Sequence, residues 1–292
     1  MNIAILSRGE QLYSTRSIIN AAEHRGHSIR LLDVHKCVLS LKTKSPEIIY
    51  EGIILPRFDA VIPRIGTSIT NLGATVIRQF EAMGIFTTTP SNALLQSRDK
   101  LSAFQVLVPE GIGVPETIFP ESFNDPINEV KQLGGFPVII KALSSTHGEG
   151  VMLVHNKQEL HEIMLHLYRT ENRFIIQEYI KESGGEDIRA FIVDGQLVAC
   201  MKRTAAEGDF RSNLHMGGTA KAHLITKEAK ELAIKACKLV GLYIAGVDII
   251  ESERGPLILE INASPGLEGI ENTTKVDIAG TIIEFIENRI NG

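Results

Sequence analysis

Two carboxylates and an amide stand near the C-terminal end of this 292-residue chain in a pattern that is costly unless something uses it. The segment LILEINASPG puts Glu260 inside an apolar run and Asn262 two residues later, and AGVDII puts Asp248 inside another. Charges are seldom buried without a partner or a metal. The polar stretch 252–255 between the runs reads as a turn. Centred on Arg254, it sets Asp248 opposite Glu260 on two antiparallel strands. Side chains alternate faces along a strand, so Asp248 shares a face with Ile250, Glu260 shares one with Ile258, and Asn262 repeats the face of Glu260. Two buried carboxylates with no permanent base beside them repel each other, and a divalent cation removes that repulsion. Mg²⁺ and Mn²⁺ take oxygen ligands, and Mg²⁺ is usually completed by water and phosphate oxygens. Asp248, Glu260 and Asn262 are therefore candidate metal ligands beside a phosphate-bearing molecule. The alternative is an edge hairpin with solvated acids and a capping Asn.

Cations that could meet such a molecule lie upstream. Lys141 closes the apolar run FPVIIKA, where it either snorkels to water or reaches phosphate. SSTHGEGV follows it at 144–151. Gly148 and Gly150 permit a tight turn whose N–H groups can cradle phosphate, although the stretch is neither a Walker A loop nor a dinucleotide fingerprint. Lys100 follows Arg98 and Asp99 on a helical segment, as a second phosphate contact or a solvated helix charge. The run GDFRSNLHMGG at 208–218 is too polar and glycine-rich for core. It reads as a mobile loop in which Arg211 and Asn213 can bind polyphosphate oxygens. Glu178 and Tyr179 follow an apolar strand at an apparent domain junction, where backbone groups can read an adenine edge. Asp187 or Glu186 can then reach ribose hydroxyls. Core packing for Tyr179 and solvent for the two acids are the alternatives. His147 and His215 read as loop histidines without a catalytic role.

These residues need a scaffold to hold them. Apolar runs at 2–7, 28–32, 58–63 and 85–88 alternate with helical patterns at 14–25 and 71–83, a strand–helix rhythm that predicts a small parallel sheet covered by helices. Residues 42–50 look like a polar excursion, and 91–108 like a helical connector carrying Lys100. Strands follow at 137–142, 151–154 and 174–180, with a helix at 157–168. Asp194-Gly195 is a favourable two-residue hairpin turn between runs 187–193 and 196–203. Helices at 227–240 and 276–288 flank the acidic hairpin.

The 43% hydrophobic and 22% charged content is that of a globular protein, and a net charge of −5 gives no reason to expect a nucleic-acid surface. The three cysteines are far apart and form no metal motif, which with the lack of a secretion signal suits a reducing cytoplasm. No run approaches a membrane span.

The chain resembles an ATP-grasp carboxylate–amine ligase, in particular the RimK alpha-L-glutamate ligases, which include the enzyme that glutamylates ribosomal protein S6. The resemblance spans essentially the whole chain. It rests on AVIPRIGTSIT (60–70), RDKL (98–101), GDFRSNLHMGGTA (208–220), AGVDII (245–250) and LEINASPGLEGIE (259–271). It implies an α/β fold: an N-terminal small parallel α/β domain (1–90), then a two-lobed ATP-grasp fold with mixed and antiparallel sheets. The lobes divide into a connector and central part (91–175) and a C-terminal part with the metal-binding hairpin (176–292). It assigns Lys100 and Lys141 to ATP phosphates, Glu178 and Tyr179 to the adenine hinge, Asp187 to the ribose, and Arg211, Ser212 and Asn213 to the nucleotide-binding loop. It assigns Asp248, Glu260 and Asn262 to two Mg²⁺ or Mn²⁺ ions.

Chemically, the resemblance implies that a carboxylate is activated as an acyl phosphate, with Lys141 and Arg211 stabilising the transfer, and that an amine then displaces phosphate. The expected substrates are L-glutamate and the S6 C-terminus or a poly-alpha-glutamate chain, with Arg203 and Arg64 as candidates for selecting glutamate. Other expectations are a homo-oligomer and no direct nucleic-acid or membrane partner. The SSTHGEG loop departs from the EGTQGIG-like form of close relatives, which puts the contacts made by His147 in doubt. A related ligase for another small acceptor, and a noncatalytic ATP-binding regulator, are the competing readings.

Overall fold

A computed structural model describes residues 1–120, 126–143, 150–212, 214 and 217–292. Among these, the strands form four sheets. The N-terminal region runs β1 (Asn2–Leu6), α1 (Tyr13–His24), β2 (Ser28–Leu32), β3 (Cys37–Ser40), β4 (Glu47–Tyr50), β5 (Ile53–Ile54), β6 (Ala60–Pro63), α2 (Thr70–Ala82) and β7 (Phe86–Thr87). Strands β2-β1-β6-β7 pair in parallel, as the strand–helix rhythm predicts. Because helices cover both faces of such a sheet, its central strands are apolar throughout: Ile3, Ala4, Ile5 and Leu6 are all fully buried. The supposed polar excursion is instead a small antiparallel sheet, β3-β4-β5. Alternation along β4 explains the misreading, since Ile48 and Tyr50 are buried while Glu47 and Ile49 are only partly covered.

The connector is two helices, α3 (Ser91–Arg98) and α4 (Lys100–Leu107), rather than one. Asp99 breaks it by adopting an extended conformation and capping α4, its carboxylate accepting from Ser102 N–H at 3.0 Å. The break decides where Lys100 points, because that residue now opens α4.

The central lobe holds β8 (Thr117–Ile118), α5 (Ile127–Gln132), β9 (Val138–Ala142), β10 (Val151–Val154), α6 (Lys157–Arg169) and β11 (Phe174–Glu178), with sheet order β10-β9-β11-β8 and a hydrophobic core of its own. The C-terminal lobe holds β12 (Glu186–Val193), β13 (Gln196–Thr204), β14 (Thr219–Ala222), α7 (Lys227–Val240), β15 (Ile244–Ser252), β16 (Gly255–Asn262), α8 (Glu268–Thr274) and α9 (Ile278–Asn291). Its five-stranded sheet, β14-β13-β12-β15-β16, is antiparallel throughout. The Asp194-Gly195 turn has both φ angles positive, 49° and 70°, the backbone that matches strand twist in a two-residue hairpin. Helix α7 starts where Thr226 Oγ1 accepts from Ala229 N–H and stops at left-handed Gly241.

The N-terminal region is packed onto the C-terminal lobe. Ile3 and Ile5 share a core with Ile282, Ile283 and Phe285 of α9, and Arg25 and His27 both bind Glu287. No helix among the described residues is long and apolar enough to cross a membrane.

One contact in this frame governs the loop after β6, which carries Arg64. A Cβ built at Gly73 of α2 would lie 2.9 Å from Cγ1 of buried Ile65 and closer still to Cγ2. Helix propensity alone favours Gly73→Ala by about 1 kcal/mol, but a β-branched neighbour cannot swing away. Gly73→Ala is expected to destabilise by about 1–3 kcal/mol net, read as a lower urea midpoint; a gain in stability would show that the Ile65 loop is free to move.

Candidate functional site

A pocket lies between the central and C-terminal lobes. Of the residues singled out from the sequence, it gathers Lys100, Lys141, Glu178, Tyr179, Glu186, Asp187, Arg203, Arg211, Ser212, Asp248 and Glu260. Asn262 lies beyond Glu260 on β16, paired with Gly246. Asn213, His147, His215 and the SSTHGEG stretch from 144 to 149 lie outside the described residues.

The acidic hairpin has the predicted pairing for an unpredicted reason. Its turn is two residues long, with Ser252 opposite Gly255 and Ile249 opposite Ile258, a register that would bring Leu259 against Asp248. A bulge between Asp248 and Ile249 absorbs one residue and restores Asp248 to Glu260. The bulge also changes the faces. Leu259 and Glu260 both line the pocket, while Ile258 and Ile261 are buried in the core behind it, so Glu260 does not share a face with Ile258.

The acids are not short of bases, which overturns the premise that only a cation could relieve them. Arg189, opposite Asp248 on β12, binds both its oxygens, with Nη2 donating to Oδ2 at 2.7 Å. Arg203 donates from Nε and Nη2 to Asp187 at 2.6 and 2.5 Å and lies 3.2 Å from Asp248 Oδ2. Burial by itself would raise the Asp248 pKa, but the charges of Arg189 and Arg203 overcome it and hold the carboxyl below its ordinary value. Burial likewise opposes the charge on Arg203, and Asp248 and Asp187 outweigh it, raising the guanidinium above its ordinary value. Arg203 is thus engaged within the chain and is not available as the glutamate-selecting residue it was expected to be.

Glu260 differs from Asp248. Its nearest cation is Lys100 Nζ at 3.6 Å, and its side chain is 36% exposed. The Asn262 amide N–H donates to Gly246 O at 3.3 Å, leaving its carbonyl oxygen without a partner among the described residues. The described residues contain no group of three His, Cys, Asp or Glu that could hold a metal. With Asn262 included, the hairpin offers a hard cation two carboxylates and an amide oxygen, a donor set that fits Mg²⁺ or Mn²⁺.

Lys141 faces these acids from β9. It makes no hydrogen bond or ion pair among the described residues, and burial pushes its ammonium down to about 8, with Glu260 opposing the shift and Lys100 adding to it. A buried lone ammonium is a poor structural element and a good anion site. On both sides of the pocket the character changes in step. Ile139 on β9 and Ile250 on β15 lie nearer the Glu178–Tyr179 strand end, and Lys141 and Asp248 lie two residues further along. An apolar slot near Tyr179 therefore leads to a charged end, which suits a planar ring joined to phosphates.

The hinge itself is clamped. The Glu178 carboxylate accepts from Glu116 N–H at 2.7 Å and binds Arg254 of the hairpin turn, while Glu178 N–H donates to Glu116 O at 3.0 Å. Tyr179 N–H and C=O have no backbone partner among the described residues, so both can meet a ring edge. Arg211 Nε and Nη2 donate to Asp209 at 3.0 and 2.9 Å at the rim.

Sequence reasoning missed Arg189 and the Arg254 clamp. Arg189 had a signal, since in DIRAFIV period-two alternation puts it on the face of Asp187. Arg254 had none, because its partners lie 76 and 138 positions upstream at Glu178 and Glu116.

Arg203→Met should lower stability by about 3–5 kcal/mol, because it leaves Asp187 buried without a counterion; an unchanged urea midpoint would mean that Asp187 is solvated.

The chain is similar to known proteins along almost its whole length. The RimK PreATP-grasp domain family matches residues 1–94 and the RimK-like ATP-grasp domain family residues 97–286. A probable alpha-L-glutamate ligase of Cellvibrio japonicus is 47% identical over 287 residues, covering 98% of this chain and 95% of its own. One from Halorhodospira halophila is 48% identical with the same coverage. Among solved structures, the ATP-grasp ligase PsnB complexed with minimal precursor, Mg and ADP aligns with a TM-score of 0.78 at 19% identity, covering 100% of this chain and 98% of that one. A RimK domain ATP-grasp protein from Sphaerobacter thermophilus aligns at 0.74 and 21%, covering 98% and 99%. These structures establish the two-lobed α/β ATP-grasp fold, and the sequence matches establish the kinship: the chain belongs to the RimK family of ATP-grasp ligases.

Proposed function

We propose that this enzyme adds L-glutamate, through alpha-peptide bonds, to the C-terminal carboxylate of ribosomal protein S6 or of a glutamate peptide. The observation that carries the reading is the near-complete match, at 47–48% identity, to proteins described as probable alpha-L-glutamate ligases. The pocket supports it, because its features divide the work of a two-step ligation.

In the first step an acceptor carboxylate oxygen attacks the γ-phosphorus of ATP and ADP leaves, giving an acyl phosphate. In the second, the amine of glutamate attacks the acyl carbon, phosphate leaves, and the amine proton is lost. Phosphoryl transfer depends on alignment and on charge already in place. Tyr179 would hold the adenine edge through its backbone, with Asp187 beside the ribose. Lys141 and Lys100 would neutralise the polyphosphate from two sides, and Arg211 and Ser212 would cover it from the rim, with Asn213 next to them in sequence. Asp248, Glu260 and Asn262 would hold Mg²⁺ or Mn²⁺, which when bound offsets charge on the terminal phosphates. Water must be kept from the acyl phosphate, and the apolar residues Val151, Phe210 and Leu259 around the pocket serve that end. We assign residues 1–90 to the preliminary domain, 91–175 to the connector and central lobe, and 176–292 to the C-terminal lobe.

Incubation with ATP, metal, each amino acid in turn and the S6 C-terminal peptide, followed by intact-mass measurement, tests the assignment. Glutamyl increments with matching ADP are expected. A different increment would replace glutamate as the substrate, and increments on free glutamate alone would remove S6 as the acceptor.

The state of Lys141 makes a separate prediction. Its pKa near 8 means that it is charged below that pH and neutral above it. kcat/KM for ATP, which reports the free enzyme, should therefore fall as pH rises through about 8. In Lys141→Arg the guanidinium stays charged and the fall should vanish. A flat wild-type profile from pH 7 to about 9.5 would remove Lys141 from the phosphate site.

A further inference from the structure

Arginine is treated in two ways inside this molecule. Arg189 and Arg203 are each met by an aspartate of the same sheet. Arg64 and Arg98 are met by none. Arg64 Nη2 donates to Pro265 O at 2.6 Å, and Arg98 donates to Ile65 O at 2.6 Å and Thr67 Oγ1 at 3.2 Å. All three acceptors are neutral, and among the described residues neither guanidinium forms an ion pair. Arg98 Nε, and Oγ of Ser264, the residue before Pro265, are buried atoms with no hydrogen-bond partner among the described residues. Burial, with Arg98 adding its charge, brings Arg64 down to about 10. Arg8, exposed in the loop after β1, overhangs the same place, with Nη2 3.9 Å from where a Cβ of Gly66 would stand.

Two guanidinium groups held together with spare donors and no counterion are unfavourable unless an anion from outside completes them. The loop after β6 and the end of α3 present these donors. They meet the end of β16 on the side of Glu260, whose charge is felt at Arg98, and Lys100 beside Glu260 is two residues from Arg98. The nucleotide already has its cations in Lys100 and Lys141. The planar fork of arginine matches a carboxylate, which it can bind through two parallel hydrogen bonds.

We propose that Arg64 and Arg98, with Ser264, bind the carboxylates of the incoming amino acid and so select a dicarboxylic one. The inference rests on the ligase reading and deepens it, since it supplies the second substrate's site. Held there, the amine donor approaches the Glu260 hairpin from the N-terminal domain, opposite the Tyr179 hinge. The pair of arginines also accounts for choosing glutamate over glutamine, because an amide would leave one guanidinium buried without a counterion.

The test is titration calorimetry of glutamate into the enzyme loaded with a nonhydrolysable ATP analogue, for wild type, Arg64→Gln, Arg98→Gln and the charge-retaining Arg64→Lys and Arg98→Lys. Glutamate affinity should fall by about 10- to 100-fold in each Gln variant, as expected for losing a charged hydrogen bond, while affinity for the analogue changes less than about twofold. Steady-state kinetics should show the same split, with KM for glutamate raised and KM for ATP kept, and glutamine should become a comparable substrate. Glutarate should compete with glutamate in the wild type, a measurement that needs no variant to fold. Unchanged glutamate affinity in folded variants, or no competition by glutarate, overturns the site. A wild type that binds glutamate through these arginines yet forms no glutamyl product overturns the ligase reading and leaves the site standing.

Discussion

Two aspartates and two arginines alternate across neighbouring strands of the C-terminal sheet, and their mutual neutralisation is what allows a charged face to be buried at all. Asp187 stands opposite Arg203, and Arg189 opposite Asp248, each pair in direct register. Because the partners are cross-strand neighbours, pairing them also fixes the register of β12 with β13 and β15. A slip by one residue would turn every charge into the apolar core behind the sheet. Stability and site geometry are therefore set by the same bonds.

The rest of the pocket is arranged around charges that this network does not satisfy. Glu260 is brought to the same face by the bulge that leaves Leu259 unpaired, but it lies at the sheet edge, and among the described residues its one cation is Lys100 at 3.6 Å. Lys141 faces it from the other lobe without a hydrogen-bond or ion-pair partner among the described residues. The neutralised pairs make a rigid floor, and the unneutralised groups beside them are the ones able to hold a ligand. Opposed surpluses of this kind, kept apart by the fold, are what a polyphosphate and a hard cation would join. At the other end, Arg254 ties the hairpin turn to the carboxylate of Glu178, so the β15–β16 hairpin and the end of β11 are mechanically connected.

The N-terminal domain does more than cover the site. Ser14 Oγ accepts from Leu267 N–H at 3.0 Å, and Arg64 holds Pro265 O, so the segment following β16 is gripped by the first turn of α1 and the loop after β6. Gly73 lets Ile65 sit against α2, which in turn places Arg64 and Thr67. A packing choice on one helix thus reaches Arg64 and the segment after β16 through one loop.

Much of this was legible in the residues themselves. The apolar runs around Asp248 and Glu260 announced two strands with a turn between them, and aspartate and glycine named the Asp194 turn, because each is a local rule of backbone and side-chain direction. The family resemblance came from short runs in which those local rules are combined. What only the tertiary structure decided depends on contacts far apart in sequence. Sequence alone could not tell that Arg203 would be consumed by Asp187, that Arg189 would compensate Asp248, or that Asp99 would split the connector and turn Lys100 toward Glu260. Nor could it tell that Arg64 would stand beside Arg98, with no acidic partner for either among the described residues. A charge's role depends on which partner reaches it first and how much water remains, and both are settled only when the sheets and loops close around it.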